Sequence, residues 1–424
     1  MKRISVIGFG KIGQAIAANI LKQGITVTAI DTNRDLQKVF KNGVYKTNEP
    51  GLSYILTSAY KNNKLVITDD FSLIKGSNAI IIAIPLLIDS QKRILDEPFL
   101  TAMRKLAPFT ENRTVVVIET SVPVGFGRNS VVPAIESQGK LHGTDFLLAH
   151  SPERIKSGTM LEQLLQIPKV IGGVTKDAGD KAYEIYQWFF DKKLLHQVES
   201  IDAAEMLKLA GMIYRDVNIA LSNQLAQFAN VAGVNFADLI PLINTDREAN
   251  LLQPGIGVGG HCTPVYPYFL IDNFKQSGLD FTLAKQSRSI NDEMAGYAVS
   301  LIKNKAKIKK ALLLGLSFRP NLKEDALSTT YLLNEVLLKS GFEVVVNDVK
   351  FSEDELKEKG FNPAVNIYDN DSEVAFLVTM HKEYSQIDFE RLANSGIKYF
   401  VDGRNKIDRD KVEKAGIQYI GIGH

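Results

Sequence analysis

Short β-branched runs alternate with longer stretches of helical period through the first 175 residues of the chain. The strand candidates are Ile4–Ile7, Thr26–Ile30, Ala79–Ile84, Thr114–Glu119, Phe146–Ala149 and Lys169–Ile171. Strands separated by helix-length segments imply right-handed βαβ units, hence a parallel sheet with helices on both faces. From about Asp202 to Val231 the pattern changes. Apolar residues recur at three- and four-residue steps (Met206, Leu209, Ile213, Val217, Ala220) with no internal proline. This reads as one helix, too long for a simple crossover, of the kind that serves as a spine and a dimer surface. The tail returns to the opening pattern, with strand candidates Ala311–Leu314, Glu343–Val346, Ala375–Val378, Tyr399–Val401 and Gln418–Ile420. The basic stretch from Lys303 to Lys310 marks the boundary of this second, smaller α/β domain.

Bulk properties narrow the function classes. A length of 424 residues suggests two or three domains, and 45% hydrophobic with 23% charged residues is ordinary for globular proteins. A net charge of +2 without a long Lys/Arg block gives no nucleic-acid footprint. The apolar run Ile4–Ile7 ends at Gly8, too short for a signal core, and no apolar stretch is long enough to span a bilayer. One cysteine, Cys262, precludes an internal disulfide. A cytoplasmic protein with no membrane partner and no metal site is expected.

Gly8-Phe9-Gly10-Lys11-Ile12-Gly13 follows the first strand directly and opens a helical stretch. In a dinucleotide-binding Rossmann unit the first glycine permits the tight turn. The second lets the backbone approach a pyrophosphate, and the third lets helix and strand pack closely. The helix N-terminus offers free N–H groups to phosphate. Asp31 ends the second strand, where a carboxylate accepts from a ribose 2′-hydroxyl and repels a 2′-phosphate, favouring NAD over NADP. A mononucleotide or flavin site is the alternative. Lys11, Ile12, Pro85 and Ser121 complete the candidate cofactor set.

The other unusual stretch is Pro254-Gly255-Ile256-Gly257-Val258-Gly259-Gly260-His261-Cys262-Thr263-Pro264. Its glycines bring backbone close to something. Beside a nicotinamide, a thiolate could attack an aldehyde to form a thiohemiacetal that a second hydride transfer converts to a thioester. Burial as a small hydrophobe is the competing reading of Cys262. The residues alone leave the two open.

With these motifs in place the chain resembles the UDP-sugar 6-dehydrogenase family, nearly end to end. Within it, Gly259-Gly260-His261-Cys262 with Pro264 and Pro267-Tyr268-Phe269-Leu270 resembles the UDP-N-acetylhexosamine branch. Further matching pieces are Pro50-Gly51-Leu52, Ser121-Val122-Pro123, Ser151-Pro152-Glu153-Arg154, Glu205-Met206-Leu207-Lys208-Leu209, Arg215-Asp216-Val217-Asn218-Ile219-Ala220 and Asp402-Gly403-Arg404-Asn405. The resemblance implies an α/β fold in which two Rossmann-like parallel-sheet domains are joined by a central helical domain with a long spine helix. The expected segments are an NAD-binding domain over 1–197, a dimerisation domain carrying the cysteine loop over 198–306, and a UDP-sugar-binding domain over 307–424. It implies a homodimer that oxidises the sugar C6 hydroxyl to a carboxylate with two NAD⁺. Cys262 is then the nucleophile, Lys208 stabilises the alkoxide and oxyanion, Glu153 is general base for water, and Ser121, where the family usually has Thr, holds that water. Substrate contacts are expected from Glu153, Arg154, Lys208, Arg215, Gly259, Gly260 and Arg319. Arg247 is expected to reach substrate across the dimer interface. Without the resemblance, Lys208 reads as a solvated helix charge, Glu153 as a helix N-terminal carboxylate and Ser121 as a turn residue.

Three departures fall near the chemistry. Met212 stands where the family helix usually carries Asn, Tyr266 where it usually has Asp, and Ala326 where Arg is usual after Phe318-Arg319-Pro320-Asn321 and Lys323-Glu324-Asp325. The activity expected first is UDP-N-acetylmannosamine 6-dehydrogenation. The alternatives are UDP-N-acetylglucosamine or UDP-glucose as substrate, stalling at the thioester, or a nucleotide-sugar-binding paralogue impaired in turnover. A two-domain 2-hydroxy-acid dehydrogenase would explain neither the cysteine loop nor the second α/β domain.

Overall fold

The structure, a computed structural model, describes residues 2–303 and 309–424. Its internal contacts divide the chain into two units, Met1–Gly211 with Tyr268–Gly278, and Met212–Pro267 with Leu279–His424. The expected break at 306/307 lies outside the described residues.

Besides a two-stranded antiparallel ribbon of Leu87–Ile88 with Ile94–Leu95, the first unit holds a main sheet of eight strands: β1 (Arg3–Ile7), β2 (Thr26–Ile30), β3 (Leu65–Thr68), β4 (Ala79–Ile82), β5 (Thr114–Ile118), β6 (Phe146–His150), β7 (Lys169–Gly173) and β8 (Leu195–Gln197). Their order across the sheet is β8-β7-β6-β5-β4-β1-β2-β3. The β-branched run of β5 is buried at every position, as a strand covered on both faces must be. Ile4, Val6, Ile81 and Val117 pack with Ile16 and Ile20 of the helix Lys11–Lys22 and with Tyr186. Two strands were not apparent in the sequence. β3, Leu-Val-Ile-Thr, alternates buried and exposed positions at one sheet edge, and β8, at the other, is only Leu-His-Gln and has no continuous apolar run.

One pairing departs from the all-parallel expectation: β7 runs antiparallel to β6, with Ala149 opposite Gly173 and His150 opposite Gly172. The segment between them contains only the four-residue helix Met160–Gln163. That is too little helix for the crossover a parallel return needs, so the chain folds straight back.

In the second unit, β9 (Lys310–Leu314), β10 (Glu343–Asn347), β11 (Val374–Leu377), β12 (Tyr399–Asp402) and β13 (Gln418–Gly421) form a parallel sheet ordered β10-β9-β11-β12-β13. One face packs Leu313, Val346 and Phe376 against Met294, Ala298 and Ile302 of the helix Thr282–Lys303. The other packs Leu312, Ala375 and Phe400 with Leu392 and Val412.

The long helix spans Ile201–Ala232. Leu209, Ile213 and Ala220 are buried as its period requires, but Met206 of the same stripe is 52% exposed. Among the described residues no helix is long and apolar enough to cross a membrane.

Candidate active site

The three motif glycines separate by what a side chain would meet. Gly8 has φ +88°, and a Cβ there would lie 2.8 Å from the backbone of Ala83, just beyond β4. At Gly13 a Cβ would lie 2.0 Å from the Gly8 carbonyl oxygen, so only glycine lets helix and turn touch. Gly10 is different: a Cβ would meet nothing within 4 Å. That open space lies at the start of the Lys11–Lys22 helix, whose N-cap has no side-chain hydrogen bond. An uncapped helix N-terminus beside open space fits a dinucleotide pyrophosphate.

Asp31 is fixed by the same turn. Its carboxylate accepts from the Phe9 N–H at 2.7 Å and the Asn33 N–H at 2.8 Å. With about four acceptor positions on a carboxylate, room remains for ribose hydroxyls. Lys11 is exposed, Ile12 half-buried and Pro85 exposed beyond β4. Substituting Asp31→Ala is expected to weaken NAD binding by ~1.5–3 kcal/mol, roughly ten- to a hundredfold, the range for a hydrogen bond to a charged group. Titration of the variant with NAD⁺, followed by calorimetry, checks it.

Because β1, β4, β5 and β6 are parallel, the segments that follow them leave at one sheet edge. This gathers Gly8, Pro85, Ser121 and Glu153. Ser121 is buried. The turn after it is held by Glu205 of the long helix, whose carboxylate accepts from the N–H groups of Gly125 (2.6 Å) and Gly127 (2.9 Å). Burial pushes the Glu205 carboxyl up to about 8 despite those two donors. The native state therefore keeps a proton that the unfolded chain releases at the ordinary glutamate value of 4.5. This contribution to stability is complete below about pH 4.5 and is lost as pH rises through about 8. Denaturation midpoints are expected to fall between about pH 6 and pH 9, and Glu205→Gln is expected to flatten that slope.

Glu153 is not a helix N-terminal residue; the segment around it is irregular. It lies in a buried charged cluster. Its Oε1 accepts from the N–H groups of Arg154 (2.5 Å) and Ile155 (2.8 Å), and its Oε2 from Lys169 Nζ at 3.0 Å. Lys169 also bonds Glu119, which accepts from the Tyr186 hydroxyl. Lys208 is buried, contrary to the solvated-charge reading, and its ammonium donates to the Glu153 carbonyl oxygen at 2.7 Å. The antiparallel β7 makes this cluster. Continuing the β6–β7 register three residues beyond His150 opposite Gly172 sets Lys169 opposite Glu153. A parallel strand would have begun at the far edge.

Burial acts most strongly throughout the cluster. It pushes Glu119 up to about 7, with Lys169 opposing and Glu153 adding to the rise. At Glu153 burial is outweighed by Lys169 and the two backbone donors, so the carboxyl stays below its ordinary value. His150 is pushed down to about 3 by burial and then by the Lys169 charge.

The cysteine loop belongs to the second unit. Cys262 is half-buried and its carbonyl oxygen accepts from the N–H groups of Val265 and Tyr266, the latter opening the helix Tyr266–Gln276. What its glycines approach is the chain itself. A Cβ on Gly259 would lie 2.9 Å from the Leu327 carbonyl oxygen, and one on Gly260, φ +104°, would lie 2.9 Å from the Phe318 ring. The Gly260 N–H donates to the carbonyl oxygen of Ala326, and His261 meets Phe318 edge-on. Thus the segment carrying Arg319 and Ala326 packs under the loop. Arg215, Met212 and Arg319 are half-buried, and Arg247 is exposed. The residues that sequence reasoning missed are Glu119, Lys169 and Tyr186.

The sequence matches the UDP-glucose/GDP-mannose dehydrogenase family in three parts: its NAD-binding domain over residues 2–190, its central domain over 202–293 and its UDP-binding domain over 312–409. UDP-N-acetyl-D-mannosamine dehydrogenase of Methanocaldococcus jannaschii is 31% identical over 435 residues, covering 100% of this chain and 96% of that one. A solved structure of the Pyrococcus horikoshii UDP-D-ManNAc dehydrogenase superposes with TM-score 0.89 at 30% identity, covering 99% of each chain. A solved NDP-N-acetyl-D-galactosaminuronic acid dehydrogenase of Methanosarcina mazei gives TM-score 0.85 at 25% identity over 100% of this chain and 95% of that one.

Proposed function

The chain belongs to the UDP-glucose/GDP-mannose dehydrogenase family, and from that premise we propose that it oxidises the C6 hydroxyl of a UDP-N-acetylhexosamine, UDP-N-acetylmannosamine first, to the uronate. It is an NAD-dependent oxidoreductase. The names of full-length relatives support the sugar. The burial of Lys208 against Glu153 carries the chemical reading, since a lysine desolvated there has no surface role to explain it.

NAD⁺, bound at the Gly10 helix and Asp31, supplies the hydride acceptor for both oxidations. Lys208 stabilises the C6 alkoxide as the hydroxyl proton leaves. The Cys262 sulfur adds to the C6 aldehyde to give a thiohemiacetal, whose carbon loses a second hydride to become a thioester. Glu153 takes a proton from the water that attacks the thioester carbonyl, Ser121 orients that water, and Cys262 leaves as the thiol. Alcohol, one water and two NAD⁺ thus give carboxylate, two NADH and three protons. Arg154, Arg215, Arg319 and the Gly259-Gly260 backbone serve the substrate.

We assign a homodimer built on the exposed face of the long helix, where Tyr214, Leu221, Leu225 and Phe228 are 57%, 49%, 37% and 70% exposed at helical spacing. Arg247 contributes to substrate binding across that interface. Light scattering should give twice the 47.0 kDa chain mass. The reading includes a cytoplasmic location for the reaction.

The test is NADH formation with UDP-N-acetylmannosamine, UDP-N-acetylglucosamine and UDP-glucose in parallel. Turnover is expected to be fastest with the first, and absence of turnover with all three contradicts the reading. Tyr266 favours a second reading, an enzyme that halts at the thioester, because a phenol with pKa near ~10 is a poor base at neutral pH. Mass spectrometry would then find an adduct on Cys262 that Tyr266→Asp releases.

A further inference from the structure

The geometry points to Glu119 as a positioning residue that sets the basicity of Glu153 through the shared ammonium of Lys169. This rests on the reading of Glu153 as the base for water.

Three donors already occupy Glu153: the N–H groups of Arg154 and Ile155 on Oε1 and Lys169 Nζ on Oε2. A carboxylate has about four acceptor positions, so roughly one remains for a water. A carboxylate so held is stabilised as an anion and binds a proton poorly. To act as a base it must be less firmly held, and Lys169 is the only one of the three donors that another acid in the cluster also claims. Its ammonium bonds Glu119 as well as Glu153, with side-chain exposures of 4%, 0% and 8% for Lys169, Glu119 and Glu153. Two carboxylates therefore compete for one buried cation.

The surroundings make that competition strong. Tyr186 donates to Glu119 from the far side. Lys208 stands at the Glu153 carbonyl, His150 is fully buried nearby and kept neutral, and the Lys169 ammonium lies 5.8 Å from the centre of the Phe190 ring. The cavity beside Glu153 and Lys169, lined also by Leu164, Ile167 and Phe190, has about 10 Å³, room for about one water. Screening by solvent is therefore weak.

With Glu119 protonated, Lys169 is given over to Glu153, and the base is quenched. When Glu119 ionises, it draws the ammonium and places a second negative charge behind Glu153, so the proton affinity of Glu153 rises. Glu119 titrates near neutrality because burial raises its carboxyl to about 7. Thioester hydrolysis is then faster on the alkaline side, whereas the first hydride transfer, which does not use Glu153, is not governed by this switch.

Infrared difference spectra of the intact protein test the first half without any turnover. Glu205, the other buried carboxyl protonated near neutrality, is first replaced as Glu205→Gln; in that background the carbonyl band of a buried protonated carboxyl should vanish as pH rises through about 7, and adding Glu119→Gln should remove it. No such titrating band in Glu205→Gln, or its persistence once Glu119→Gln is added, overturns the assignment. The second half is read from the pH profile of uronate release. The wild type should gain about tenfold between about pH 6 and pH 8, as one ionisation near 7 requires, and Glu119→Gln should lose that inflection. Lys169→Met should remove the inflection too, and Lys169→Arg should retain it. An inflection unchanged in Glu119→Gln, with the infrared band assigned to Glu119, overturns the coupling. If no UDP-sugar is oxidised, the proposed function fails while the infrared titration still decides the state of Glu119.

Discussion

Cys262→Ala is expected to abolish uronate formation, lowering kcat by at least ~10³-fold, while leaving NAD⁺ binding unchanged. Removing a covalent nucleophile costs this much or more because the remaining groups act as a unit with it. The Rossmann site lies wholly in the first unit, at Gly8, Gly10, Gly13 and Asp31, so its geometry does not depend on a thiol in the second. The side chain of Cys262 is half-buried, and alanine removes only a sulfur there, so the fold should persist. Stopped-flow NADH absorbance with NAD⁺ titrations measures both quantities. Full uronate formation by the variant would remove Cys262 from the chemistry and return it to the small-hydrophobe reading.

Arg288→Met should destabilise the second unit by ~3–5 kcal/mol, the cost of leaving a buried charge without its partner. Arg288 and Asp216 have side chains 3% and 1% exposed and meet at 2.6 Å. Burial raises the Asp216 carboxyl even with the guanidinium present, so the ion pair sits in a strongly desolvating site. Asn291 donates to the same Asp216 oxygen at 2.8 Å, Asn223 donates to Asn291 at 2.9 Å, and the Gly255 N–H donates to Asn223 at 2.9 Å. The pair thus anchors a chain of polar contacts that ends at the glycine-rich loop. Urea denaturation measures the loss, and Asp216→Leu with Arg288→Met should recover much of it because no buried charge is left unpaired, Asp292, the other carboxylate on Arg288, being 38% exposed. A single variant within ~0.5 kcal/mol of wild type would contradict this weighting.

The sheet strands with continuous apolar runs were legible in the chain, from Thr26–Ile30 to Tyr399–Asp402, because both faces of those sheets are covered. β8 escaped because an edge strand needs no such run, whereas β3 was passed over although it carries Leu65-Val66-Ile67. The dinucleotide turn was legible for a steric reason: no other residue fits where Gly13 meets Gly8. The glycines before Cys262 signalled a close approach, but sequence does not say to what, and the neighbour is the Phe318–Thr329 segment. Glu119 and Lys169 gave no signal. Each looks like a charged residue capping a strand, and their meeting depends on the direction of β7, which one short helix in the preceding connection decides. Lys208 and Glu153 drew attention only through family resemblance, since a buried lysine and a solvated one have the same letter.

The most direct measurement is the ratio of NADH to uronate formed from UDP-N-acetylmannosamine at completion. Two NADH per uronate, with transient label on Cys262, is the expected result. Well over two NADH per uronate with free aldehyde accumulating, or no NADH from any UDP-N-acetylhexosamine, would contradict four-electron oxidation through the cysteine.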